Sequence, residues 1–78
     1  MENKNDFKQT MEILKRNINR ILWEKDKSMA WLNRKIGTND RYIARLQRDE
    51  IVPSLQVICK IAEVLRMSVA DLFTKKEG

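Results

Sequence analysis

Residues 28–48 read Ser28-Met29-Ala30-Trp31-Leu32-Asn33-Arg34-Lys35-Ile36-Gly37-Thr38-Asn39-Asp40-Arg41-Tyr42-Ile43-Ala44-Arg45-Leu46-Gln47-Arg48, and this stretch decides the fold. The Ser28 hydroxyl can accept a bond from a free amide of a following first turn. Leu32 and Ile36 lie one turn apart behind it and face inward. Gly37 comes next, where a residue without Cβ ends a helix in the left-handed region at no steric cost. Thr38 and Asn39 can each cap the next helix, and Asn39 precedes the better periodic run. Ile43 and Leu46 form a second inward pair, while Arg41, Arg45 and Arg48 share another face. The spacing predicts helices over about 28–36 and 40–48, joined by a short turn that contains Gly37.

Upstream, Phe7, Met11, Leu14, Ile18, Ile21 and Leu22 recur at helical intervals and form one stripe. They predict a long first helix from residue 6 or 7 to about 25, with 24–27 as the connection. Downstream, Asp49 to Pro53 reads as a loop, because Pro53 holds Val52 extended. Ser54 caps a fourth helix over about 55–66, with Leu55, Ile58, Ile61, Ala62 and Leu65 on its apolar face. Ser68 caps a short last helix holding Val69, Leu72 and Phe73. The expected organisation is a flexible start over 1–6, one domain over 7–74, and a frayed tail over 75–78.

Composition agrees with an all-α chain. The 78 residues contain 2 Gly and 1 Pro, too few for a many-turned β architecture. A domain this small buries only about 60% of its unfolded surface, which leaves little material to enclose a substrate cavity. There is no His, so there is no imidazole base or ligand. The single Cys59 excludes an internal disulfide and a Cys–Cys metal pair. It is expected to be a small buried apolar residue of the fourth helix, and a lone thiol fits a reducing compartment. The longest apolar run, Met29 to Leu32, spans no bilayer, and Met1 to Asp6 lacks the apolar core of a signal peptide. The expectation is a cytoplasmic chain with no cofactor and no metal. Sixteen Lys and Arg against 11 Asp and Glu give a net charge of +5, which makes a polyanion the first partner to consider. Residues 34–48 hold five cations against Asp40 alone, a net +4 in fifteen residues.

Two short helices joined by a Gly-containing turn form a helix-turn-helix. The order around them, and the joint spacing of Ser28, Leu32, Ile36, Gly37, Asn39, Ile43, Leu46, Pro53, Ser54, Ile61, Ala62, Leu65, Ser68 and Leu72, resembles the Cro and phage-repressor family, also called XRE-like. The alignment runs without gaps from about Asn17 to Phe73. The resemblance implies a compact five-helix, lambda-repressor-like DNA-binding domain with a central helix-turn-helix. Several positions depart from the family pattern. Met29 stands where Gln often braces a phosphate contact. Asn33 stands where Ala usually packs under the recognition helix, so it must find a hydrogen bond or push the helices apart. Leu22 and Gln47 replace a buried Arg–Glu pair together, leaving no unpaired charge. Asp49 and Arg66 stand at two turns where Gly is common.

A recognition helix enters the major groove with its N-terminal half toward the base edges. Arg41 and Arg45 can each donate two bonds to guanine, and Asp40 can accept from cytosine or simply favour the helix N-terminus. Ala44 completes the base-reading set. Lys27, Ser28, Arg34, Lys35, Asn39, Tyr42 and Arg48, with Arg20 at the margin, are the candidates for the DNA backbone. Three Arg on one short helix also suit a plain solvated face. Trp23 and Trp31 can stack on bases, although helix-borne Trp more commonly serves partial core or an interface. Met29 is expected to pack.

The leading expectation is a sequence-specific, double-stranded-DNA-binding regulator, a prophage-like repressor acting as a homodimer on a partly palindromic operator. Val69 and Phe73 are the expected dimer contacts, because family members commonly pair through their C-terminal part. The alternative is an antitoxin or other protein-binding regulator of the same fold, with a protein partner. An enzyme is not expected, since no Gly-rich phosphate loop, metal-ligand set or nucleophile–base pair is present.

Overall fold

The computed structural model describes residues 7–75, and these form five helices in the order α1 (Phe7–Lys25), α2 (Met29–Ile36), α3 (Tyr42–Gln47), α4 (Leu55–Leu65) and α5 (Val69–Leu72). No strand occurs among the described residues. The expectations for 1–6 and for 76–78 lie outside them. One core, built from Met11, Leu14, Ile18, Leu22, Leu32, Ile36, Ile43, Leu46, Ile61, Ala62, Leu65 and Leu72, draws on every helix. α2 packs on both α3 and α4, and α5 packs on α1 and α4.

The helix ends are set by local chemistry. Ser28, Ser54 and Ser68 are N-caps, and their hydroxyls accept from the amides of Trp31 (3.0 Å), Val57 (3.1 Å) and Asp71 (3.0 Å). Such caps contribute about 0.5–2 kcal/mol each. Gly37 ends α2 at φ +78°, and the Thr38 amide reaches back to the Asn33 carbonyl at 3.1 Å. Arg66 and Asp49 keep the left-handed turns at φ +59° and +62° although neither is Gly. The replacement of Gly therefore does not change these two turns, which stay left-handed with L side chains in a costly region.

The apolar stripes are shorter than their periodicity suggests. On α1 the buried stripe begins at Met11; Phe7, a turn earlier, is exposed and Ile21 is half-buried. On α4 the expected inward Leu55 is 71% exposed, while Val57 and Ile58 beside it are half-buried against the core. Cys59 is likewise exposed, which corrects the expectation of a buried thiol. It lies one turn after Leu55 on the same outward face of α4, whereas Ile61, Ala62 and Leu65 turn inward. Trp31 packs half-buried against the core and Trp23 stands 84% exposed, so Trp23 is no part of the core.

Two buried polar residues of α1, Lys15 and Asn17, escaped the sequence pattern. Asn17 sits amid the α1 stripe, and its amide donates to the carbonyls of Asp71 (3.3 Å), Leu72 (2.7 Å) and Thr74 (3.0 Å). It thus ties the free carbonyls at the end of α5 to α1, which keeps a four-residue helix in place.

Candidate nucleic-acid interface

The surface of interest is built on how α3 begins. Sequence periodicity predicts a start near residue 40, but residues 39–41 form a tight turn instead. In it the Tyr42 amide bonds the Asn39 carbonyl (3.2 Å) and the Asn39 side-chain oxygen accepts from the Arg41 amide (2.9 Å). Regular helix therefore starts at Tyr42. Its N-cap is Arg41, whose side chain makes no capping bond. The missing oxygen comes from another helix. Asn33, in the last turn of α2 and 2% exposed, accepts from the Ile43 amide through Oδ1 (3.0 Å) and donates through Nδ2 to the Asp40 carbonyl (2.7 Å). Thr38 Oγ1 adds a bond to Asn33 Oδ1 at 3.3 Å. Asn33 has found its hydrogen bonds, and in doing so it fixes the relative pose of the two helices.

With Ile43 and Leu46 fully buried beneath, the opposite side of α3 turns outward. Arg41, Arg45 and Arg48 are exposed, as are Asn39 and Asp40. Asn39, Asp40, Arg41, Arg45, Arg48 and Glu50 line one shallow depression. Tyr42 and Ala44 are half-buried, with the Tyr42 ring packed against the core. Lys27 and Lys35 do not join this depression. They line a second one with Lys25, Trp31, Glu63, Val64 and Arg66, where the Lys27 ammonium sits 5.3 Å from the Trp31 ring centroid. Ser28 and Arg34 line neither, and both are exposed. Arg20 pairs with Glu24 at 3.4 Å on α1. Val69 and Phe73 are half-buried against the core, so each offers only part of its side chain to a partner.

Sequence reasoning missed Glu50. Its carboxylate meets Arg48 Nε at 3.0 Å and Arg45 Nε at 3.4 Å, and its amide bonds the Arg45 carbonyl at 2.9 Å. The residue lies past the helix end, so no helical spacing reveals the pairing; two acids directly after Arg48 were the available signal. Asp49 is held by Lys15, whose ammonium lies 3.0 and 2.9 Å from its two oxygens and 3.1 Å from Glu12. The bond to Asp49, then that to Glu12, holds the Lys15 pKa above its ordinary value. No group of three or more His, Cys, Asp or Glu placed to hold a metal occurs among the described residues.

A family model described as the Cro/C1-type HTH DNA-binding domain matches residues 17–77. Among solved structures, the chain is similar to a hypothetical transcription factor from Neisseria, NHTF. The TM-score is 0.81 at 21% identity, over 96% of this chain and 86% of that one. No curated protein sequence matches.

Proposed function

The chain belongs to the Cro/C1-type helix-turn-helix DNA-binding family, and from that premise we propose that this DNA-binding regulator is a sequence-specific repressor. Arg41 and Arg45 read bases, with Asp40 and Ala44 beside them. Lys27, Ser28, Arg34, Lys35, Asn39, Tyr42 and Arg48 hold the DNA backbone. The observation that carries this reading is the guanidinium row of α3, exposed above two fully buried aliphatic residues and set at a fixed angle by Asn33. A reading helix needs that combination, since a base contact demands a rigid donor while a phosphate contact tolerates a loose one. The protein acts from the cytoplasm as a homodimer, pairing through α5 with Val69 and Phe73 in contact. It binds two half-sites about one helical turn apart and blocks polymerase by occupancy.

Selection of bound sequences from random DNA, with footprinting of the winner over a salt series, tests the reading. Arg41→Ala and Arg45→Ala should each weaken the selected site by about 1–3 kcal/mol and random duplex far less. Lys35→Ala should weaken both alike and lower the salt slope by about one. Equal losses on both duplexes for the two arginines would refute base reading. Sedimentation of wild type against Phe73→Asp tests the dimer, and a monomer in both, with and without DNA, would refute it.

A further inference from the structure

We propose that Glu50 is a positioning residue that sets sequence discrimination by holding Arg45 and Arg48 until a base edge outcompetes it; this rests on the reading of α3 as the recognition helix. The carboxylate bridges both guanidiniums, touching Arg48 through Nε (3.0 Å) and Nη2 (3.4 Å) and Arg45 through Nε (3.4 Å). It therefore occupies two donors of Arg48 and lies against Nε of Arg45, on the side from which guanine or phosphate would be met. Glu50 is kept there by the main chain. Asp49 turns at φ +62° and is anchored to α1 by Lys15, and the Glu50 amide closes onto the Arg45 carbonyl at 2.9 Å. The backbone of Glu50 is thus fixed beside the end of α3, within reach of both arginines.

The consequence is one of competition. Arg45 meets a single carboxylate oxygen, which one phosphate oxygen does no more than match, so random duplex gains little by drawing Arg45 off Glu50. A guanine edge offers two aligned acceptors to one guanidinium and repays the exchange. Each pair is about half exposed, and pairs so exposed contribute about 0.2–1 kcal/mol apiece. Losing both corresponds to roughly a two- to thirtyfold tighter grip on random duplex. One uncovered cation steepens the salt slope by about 0.9.

The experiment measures wild type, Glu50→Gln and Glu50→Ala on the selected operator and on random duplex, from low to high salt. Both variants should tighten random-duplex binding severalfold, steepen its salt slope by about one, and lower the operator-to-random ratio. In an Arg45→Ala, Arg48→Ala background, Glu50→Gln should change nothing, because the groups it restrains are gone. An equal shift on both duplexes, or an undiminished effect in the arginine-less background, would overturn the proposal and reduce Glu50 to a distant charge. Wild type that enriches no sequence would overturn the base-reading conclusion and this inference together. Wild type that enriches one, with a ratio untouched by Glu50→Gln, would overturn this inference alone.

Discussion

Replacing Asn33 by Ala puts the capping of α3 to the test, because Ala is the residue the family usually carries there. Judged by resemblance alone, Asn33→Ala should be neutral or stabilising. The geometry demands the opposite. Truncation removes the oxygen bonded to the buried Ile43 amide, at about 1–3 kcal/mol. It also frees the Asp40 carbonyl, which is part-buried and partly rehydrated, at up to about 1 kcal/mol. Ala returns roughly 0.5 kcal/mol through its better helix propensity. The net loss is about 2 kcal/mol, out of about 4–12 kcal/mol expected for a domain of this length. The midpoint of thermal unfolding should fall by about 8–16 °C. Equilibrium urea unfolding monitored by circular dichroism gives the free energy, and amide exchange at Ile43 gives the location: its protection should fall by more than the global loss. Asn33→Asp keeps the acceptor but turns the donor into an oxygen facing the Asp40 carbonyl, and should cost more at neutral pH. A stability for Asn33→Ala within about 0.5 kcal/mol of wild type, with Ile43 protection unchanged, would refute the capping role.

Three other residues give outcomes that can be measured as directly. Arg66→Gly should raise stability by roughly 0.5–1 kcal/mol, since Arg66 stands at φ +59° and Gly removes the left-handed penalty at some entropic cost; a fall in the urea midpoint would count against that turn. Cys59 should react with a thiol reagent in the native protein nearly as fast as in urea, because it is exposed; strong native protection would place it in an interface. Lys15 has a folded pKa above its unfolded value, so its contribution is fully present below about pH 10.4 and is lost as pH rises through the folded pKa. The stability difference between wild type and Lys15→Met should thus be flat through neutral pH and shrink in strong alkali, and a difference that grew there would reverse the assignment.

What was legible in the sequence is what is decided within one turn of chain. Ser28, Ser54, Ser68 and Gly37 announce their caps because the bonds they make span three to five residues. The inward pairs Leu32–Ile36 and Ile43–Leu46 announce a buried face for the same reason. The start of α3 was not legible, since its capping oxygen belongs to Asn33, ten residues before the amide it serves. Asn17 was hidden for a like reason, as its partners lie 54 to 57 residues away. Leu55 and Cys59 show the limit of periodicity: both lie on the outward face of α4, away from Ile61, Ala62 and Leu65, and apolar spacing alone did not separate the two faces.

The departures from the family pattern offset one another, and the effect reaches the exposed face of α3. Leu22 is buried where an Arg would lie, and the neutral Gln47 opposite takes a bond from Asn19 (3.2 Å) and donates to the Lys15 carbonyl (3.4 Å). The α1-to-α3 tie that a buried ion pair would supply is moved outward to Lys15 and Asp49, seven residues earlier on α1 and two later after α3. At that rim the Asp49 carboxylate keeps most of its water, so the pair avoids much of the desolvation that makes a buried pair costly. The shift has a second effect. Asp49 can serve Lys15 because its backbone turns left-handed, and that same turn delivers the Glu50 amide to Arg45 and the Glu50 carboxylate to Arg45 and Arg48. The turn at Asp49 therefore couples the Lys15 tie to the charges that stand on the exposed face of α3.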